Sequence, residues 1–245
     1  MITYNFIHYE SVDSTNSEIK RLCHQGACEG TVVIAASQTA GRGRLGRRWI
    51  SPPGNLYFTI LLKPRIPLDI LSQLSLVTGI ALAKTIQYYI NKSAPVSLKW
   101  PNDIMINRQK VAGILIETDI DVPFSEGIPC YLGIGVNIEN SPDLTVYPAI
   151  SLKDIVAPAP TASEFLENFT EEFNSAYSMW LKSGFMSLKE EWLSFAHGLG
   201  EIAVATSGKD GQITGKFITI SDAGSMCLVD EEGKEHIISS SEVTF

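Results

Sequence analysis

Residues 38–49, Gln-Thr-Ala-Gly-Arg-Gly-Arg-Leu-Gly-Arg-Arg-Trp, concentrate the chemistry of this chain. Four arginines, Arg42, Arg44, Arg47 and Arg48, fall within seven residues and are interleaved with Gly41, Gly43 and Gly46. Glycines let a backbone approach a ligand closely and present N–H groups to it; guanidinium groups donate paired, charge-assisted bonds to phosphate or carboxylate. Together they suit a loop that folds over one small anionic ligand. Trp49 offers either a face on which a purine can stack or an anchor for the next strand, and the residues alone leave both open. The glycines also spell G-x-G-x-x-G after an apolar run. Ser51-Pro52-Pro53-Gly54 and a second apolar run then stand where a dinucleotide fold needs a helix, so that reading fails on context. No G-x-x-x-x-G-K-[ST] occurs, which excludes a P-loop as the nucleotide site.

Two further segments carry reactive residue types. Lys99-Trp100-Pro101-Asn102-Asp103 sets polar side chains at a turn between strand ends, and Lys110 and Gly113 follow. Such turns aim polar groups into pockets, yet Asn102 and Asp103 can equally cap the turn and Lys110 can be solvated. In Gly133-Ile134-Gly135-Val136-Asn137-Ile138 the two glycines permit either close ligand approach or a bulge. Cys23 and Cys28, with His24 between them, lack a second ligand pair, and Cys23 shares a helical stripe with Ile19 and Leu22. The four cysteines are therefore read as reduced thiols, not as a zinc clip or a disulfide framework.

The elements that position these residues follow from periodicity. Ile2, Tyr4, Phe6 and His8 alternate as in a half-buried strand, and Thr15-x-x-Glu18 is a capping-box signature ahead of a helix carrying Ile19, Leu22 and Cys23, stopped by Gly26. Residues 31–37 and 55–63 read as strands, and 69–91 as a long helix with one buried face marked by Leu71, Leu74, Ala81, Ile86 and Ile90. A strand at 96–100, a hairpin about 107–109 and a strand at 130–138 come next. Thr161-x-x-Glu164 opens a second long helix with the stripe Phe165, Phe169, Phe173, Ala176 and Trp180; a third carries Phe185, Leu188 and Trp192. From residue 198 the helical period ends, and turn signals at 208–211, 221–224 and 230–233 separate short β-rich runs, as in a small antiparallel barrel. The organisation is a mixed α/β main domain, 1–197, and a β satellite, 198–245.

Composition bounds the function. With 245 residues, 44% of them apolar and 19% charged, the chain is globular. A net charge of −8 argues against a general nucleic-acid binder, and the tail from residue 198 holds three lysines against eight acidic residues. No apolar run approaches the roughly 20 residues needed to span a bilayer. The N-terminus shows no secretory signal, so a cytoplasmic location is expected.

Taken together and in order, the segments resemble one family, the biotin–protein ligases, also called biotin–[acetyl-CoA-carboxylase] ligases. The resemblance begins at Asp13-Ser14-Thr15-Asn16 and runs through GRGRLGRRW, KWPND and KVAGILIE to GIGVNIEN. It implies an α+β fold: a mixed, mainly antiparallel sheet packed with helices, like the catalytic domain of class II aminoacyl-tRNA synthetases, plus a small C-terminal SH3-like β-barrel. It also implies the reaction, in which biotin and Mg·ATP form biotinyl-5′-AMP with release of pyrophosphate. Biotin then passes to one lysine of a biotin carboxyl carrier protein domain, of acetyl-CoA carboxylase or a similar enzyme. Carried over by position, Ser14, Thr15, Gln38, Gly41, Arg42, Arg44, Lys110, Gly113 and Gly133 belong to the biotin site. Arg44, Arg47, Trp49, Asn102, Lys110 and Asn137 belong to the ATP and adenylate site. Lys110, Arg42, Arg44 and Asp103 form the expected catalytic group. Three roles stay open for Asp103: orienting the acceptor amine, helping to hold Mg²⁺, or fixing the turn; the metal ligands are otherwise unassigned. The nearest rival is a lipoate–protein ligase, which runs the same two steps on another acyl acid. Some family members also repress transcription through an N-terminal DNA-binding domain, and this chain is expected to act without one. A homodimer through sheet edges or the loop-bearing face is compatible with the sequence.

Overall fold

The computed structural model describes residues 1–119, 121, 126–142, 148–207 and 211–245. Seven strands form the main sheet: β1 (Asn5–Val12), β2 (Thr31–Gln38), β3 (Leu56–Leu62), β4 (Val96–Lys99), β5 (Asp103–Ile106), β6 (Gln109–Thr118) and β7 (Cys130–Val136). Their order is β1-β2-β3-β7-β6-β5-β4. β1 and β2 run parallel, joined by the crossover helix α1 (Thr15–His24), and every other pair is antiparallel. The hairpin between β5 and β6 turns on Asn107 and Arg108, both at positive φ, the conformation of a two-residue type I′ connection.

One face of the sheet carries the main core. Leu56, Phe58, Ile60 and Leu62 of β3 point into it, with α2 (Gln73–Ile90), α3 (Ala162–Ser183) and α4 (Lys189–Ser194) packed behind. The other residues of β3, Tyr57, Thr59 and Leu61, point to the face crossed by α1, where Leu61 joins Ile19, Cys23, Val33 and Tyr131 in a smaller cluster. Strands buried on both faces read as continuous apolar runs, which is why β3 and β7 lack alternation in the sequence.

Four expectations change. The capping box at Thr15 does not form: Ser14 is the N-cap, and Thr15 Oγ1 instead lies 2.8 Å from Thr59 Oγ1 and 3.2 Å from Gln38 Oε1. Partners on β2 and β3 outcompete the local cap. At Thr161 the capping box is complete. The helix α2 is buried over fourteen of its eighteen residues instead of on one face, because it lies between the sheet and α3. Leu68–Ile90 is long and apolar enough to cross a membrane, yet 78% of its most apolar window is buried inside this chain, as befits a core helix. In β1 the phase slips by one: Ile7 and Tyr9 face α1 beside Val33, while Phe6 and His8 are exposed. The third helix is reduced to a 3₁₀ turn, Phe185–Ser187, and the short α4, with Phe185, Leu188 and Trp192 all buried.

The C-terminal strands β8 (Ile202–Ser207), β9 (Gly211–Ile220), β10 (Met226–Val229), β11 (Glu235–Ile238) and β12 (Glu242–Thr244) form an antiparallel sheet in the order β11-β10-β9-β8-β12. The turns at 221–224 and 230–233 are present, with Gly224 and Gly233 at positive φ; residues 208–210 of the remaining expected turn lie outside the described residues. Phe217, Met226, Leu228 and Val243 belong to the same buried cluster as the main core. Trp100 Nε1 donates to Gly224 O at 2.9 Å and so ties the turn before β5 to this sheet.

His197 sits at the junction, where Ser97 Oγ lies 3.2 Å from its Nδ1 and the Phe245 ring meets it edge-on. Burial, and then the nearby Arg108 and Lys99 charges, hold its pKa below the ordinary 6.5. The folded state thus keeps this imidazole neutral where the unfolded chain protonates it, and stability is lost as pH falls below the unfolded value. The melting temperature is expected to drop between about pH 7.5 and about pH 5.5. Thermal scans of His197→Gln should show a smaller drop than the parent protein.

Candidate active site

A cavity of about 500 Å³ opens on the α1 face of the sheet. It is lined by Ser14, Thr15, Gln38, Arg42, Arg44, Arg47, Trp49, Asn102, Asp103, Lys110, Gly113, Gly133 and Asn137, so the structure brings all but one of the expected residues together. Gly41 is not among them. A Cβ there would lie 2.5 Å from Trp49 O and 2.7 Å from Ser51 Oγ, so this glycine lets the two arms of the arginine loop close on each other.

Register builds the floor. Ala35, Tyr57, Gly135, Gly113, Asp103 and Lys99 are successive partners across β2, β3, β7, β6, β5 and β4. Directly paired residues share a face, so this row runs beneath the cavity with two glycines at its middle. A second row pairs Thr59, Gly133 and Leu115. Protein side chains fill the space above the glycines: a Cβ on Gly135 would meet Trp49 Cε2 at 2.5 Å, and one on Gly133 would meet Asn16 Oδ1 at 2.1 Å. Trp49 is accordingly a wall of the cavity, and its buried Nε1 has no hydrogen-bond partner among the described residues.

Lys110 reaches this face through a bulge. Lys110 pairs with Met105 and Ala112 with Ile104, which leaves Val111 unmatched on β6. Without the extra residue, positions 110 and 113 would point to opposite faces; with it, both share the face of Asp103. Lys110 Nζ lies 2.5 Å from Asp103 Oδ1 and 5.3 Å from the centre of the Trp49 ring. This contact gives Asp103 a role outside the three left open by the sequence, the fixing of Lys110. Asn137, almost fully buried, donates from Nδ2 to Ile150 O at 3.2 Å.

Hydroxyls and amides line the α1 end. Gln38 Oε1 accepts from Thr15 N at 2.9 Å, Gln38 Nε2 donates to Ser51 Oγ at 2.9 Å, and Thr59 Oγ1 donates to Asn16 Oδ1 at 2.6 Å. Arg44 Nη1 donates to Asn102 Oδ1 at 3.0 Å; burial pulls its pKa below the ordinary arginine value, opposed by Asp103, and it remains a cation. Lys99, also lining the cavity, is likewise pulled down by burial, against the pull of Asp103. Arg47 pairs with Glu242 of β12, and Ser241, Glu242 and Val243 close that side of the cavity. The sequence reading missed Asn16, Lys99 and these tail residues as parts of the wall, and left Gly135 open between close ligand approach and a bulge. Asn16 and Lys99 lay inside the quoted motifs and could have been named, whereas nothing local marks residues 241–243.

The arginine loop is a closed hairpin. Trp49 N donates to Gly41 O, Gly43 N to Arg47 O and Arg47 N to Arg44 O. Its tip is Leu45 at φ 57, ψ 32 followed by Gly46 at φ 73, a type I′ turn with leucine where asparagine or glycine is at ease.

A cavity on a mixed sheet, roofed by arginines and with cations facing a hydroxyl-lined end, suits a ligase that activates a carboxylate with a nucleotide. The Biotin/lipoate A/B protein ligase family matches residues 9–137, and the Biotin protein ligase C terminal domain matches residues 199–245. The chain belongs to the biotin/lipoate A/B protein ligase family. It is 34% identical to the biotin--[acetyl-CoA-carboxylase] ligase of Paracoccus denitrificans over 95% of this chain and 97% of that one. It is 32% identical to the bifunctional ligase/repressor BirA of Bacillus subtilis, over 96% of this chain and 73% of the relative. The biotin protein ligase of Aquifex aeolicus, solved in complex with biotin and ATP, superposes with a TM-score of 0.85 at 32% identity, covering 98% of each chain.

The left-handed leucine generates a local prediction. Leu45→Asn should relieve roughly 1 kcal/mol of strain and hold the hairpin closed more of the time. Amide hydrogen exchange at Gly43 and Arg47 is expected to slow about fivefold.

Proposed function

We propose that the cavity forms biotinyl-5′-AMP from biotin and ATP and then passes the biotinyl group to one lysine of a biotin carboxyl carrier protein domain. The observation that carries this reading is the convergence of Lys110 and Arg44 on one cavity whose α1 end is lined by Ser14, Thr15 and Gln38. Hydroxyl and amide groups suit a ureido ring, and a dithiolane, which offers no comparable hydrogen bonds, would leave them unanswered. Biotin therefore lies with its ring toward α1 and its carboxylate toward Arg44 and Lys110. The nucleotide lies toward Trp49, Asn102, Asn137 and Arg47.

In the first step a carboxylate oxygen attacks the α-phosphorus and the bond to the β-phosphate oxygen breaks. Two anions are brought together, so the barrier is lowered chiefly by positioning and by fixed positive charge. Asp103 holds Lys110 at the reacting end, and Arg44, braced by Asn102, faces the same space. In the second step the lysine amine attacks the acyl carbon, AMP leaves and the amine loses a proton. Between the steps the closed arginine hairpin keeps water from the mixed anhydride.

Asp103 and Glu242 are the carboxylates that line the cavity among the described residues, and each is paired with a cation. That donor set fits Mg²⁺ arriving on the phosphates of ATP with at most one protein carboxylate, Asp103, added to its shell. When bound, the ion would offset charge on the phosphoryl oxygens. We assign adenylation to residues 1–197 with the tail, 198–245, closing the nucleotide side. We also propose a cytoplasmic location, with which a need for ATP is compatible.

Incubation with biotin, ATP, Mg²⁺ and a carrier domain, followed by mass spectrometry, should show one biotinyl addition on one lysine. No addition with biotin but one with lipoate would transfer the assignment to the rival acid. Lys110→Ala removes the cation and leaves Asp103 facing the phosphates. Single-turnover pyrophosphate release at saturating substrates is expected to slow by about a hundredfold or more.

A further inference from the structure

Glu117 stands outside the cavity lining, yet three parts of the site meet on it. It lies on β6 opposite Tyr131 of β7, on the face crossed by α1. One carboxylate oxygen, Oε2, accepts from Asn16 Nδ2 at 2.7 Å and from Arg42 Nη2 at 2.7 Å. Arg42 Nη1 donates in turn to Ser17 Oγ at 2.6 Å. The same Asn16 accepts from Thr59 Oγ1 through Oδ1 and occupies the space above Gly133. A single acceptor thus joins the arginine loop to the first turn of α1 and, through Asn16, to the floor of the cavity.

We propose that Glu117 is a positioning residue that latches the arginine loop: it fixes the Arg42 guanidinium at the α1 end of the cavity so that the closed loop retains the adenylate. This rests on the reading of Arg42 as an adenylate-holding group. Both of Glu117's bonds end on the same oxygen, so a glutamine can accept both and lose only the charge. Glu117→Gln therefore isolates the ion pair, whereas Glu117→Ala removes the acceptor from Asn16 as well. The pair is open to water, with side-chain exposures of 41% for Arg42 and 36% for Glu117. An exposed pair sets a modest scale, about two- to fivefold in the opening of the loop.

The test loads the protein with radiolabelled biotin, ATP and Mg²⁺ in the presence of pyrophosphatase, then follows release of labelled adenylate into an unlabelled chase. Glu117→Gln is expected to speed release about two- to fivefold, and more than it weakens biotin binding measured by calorimetry. The ratio of variant to parent rates should fall toward one in about 1 M NaCl, because salt screens an exposed pair. Glu117→Ala should add a loss of biotin affinity, since Asn16 is no longer fixed. Unchanged release in Glu117→Gln would overturn the proposal. So would slower release, which would mean that Glu117 competes with the phosphate for Arg42, or equal and salt-independent losses in both variants, which would mark a structural strut. Arg42→Ala separates the two levels: if it also leaves release unchanged, the assignment of Arg42 itself has failed. If it speeds release while Glu117→Gln does not, the latch alone is wrong.

Discussion

Strand register is the constraint on which the rest depends. The row from Ala35 to Lys99 exists because six strands are paired without a slip across it, and a shift of one residue in any strand would turn its share of the floor over to the opposite face. The two burial patterns on β3 enforce that pairing: Phe58 and Ile60 are bound to the helix-covered core, so Tyr57 and Thr59 have no choice of side. A single bulge at Val111 then admits Lys110 to a face it would otherwise miss. The catalytic chemistry is thereby referred to hydrophobic burial on the far side of the sheet, which is the larger energy.

Electrostatics works against that background. The chain is acidic overall, with a net charge of −8, and its cavity is lined by cations. Four of these are moderated by a neighbour: Arg42 by Glu117, Arg47 by Glu242, Lys110 by Asp103, and Arg44 by the neutral Asn102. Pairing lets positive charge be stored near a low-dielectric floor without self-repulsion, at the cost that each partner competes weakly with an incoming anion. Arg44, half-buried, donates to an amide and feels Asp103 through space.

Much of this was legible in the sequence because it is written locally. The arginine–glycine loop, the turn at Asn102 and Asp103, the type I′ hairpin and the Thr161 capping box each depend on residues within a few positions of one another. What escaped depends on partners far along the chain. Thr15 looked like a cap because its competitors, Thr59 and Gln38, are visible only once β2 and β3 lie beside it. Helix α2 looked one-sided because periodicity records the strongest face and cannot record a second layer. Glycines 113, 133 and 135 signalled close approach, but not that Trp49 and Asn16 would be what approaches.

The junction between the two sheets carries a consequence for how the molecule comes apart. Phe217, Met226 and Leu228 share one buried cluster with Phe58, Ile80 and Phe169, and Trp100 hangs the turn before β5 from the carbonyl of Gly224. A boundary without its own separate interior does not melt separately. The C-terminal strands and the sheet beneath the cavity are therefore expected to unfold together, with the tail bracing the site as well as walling it.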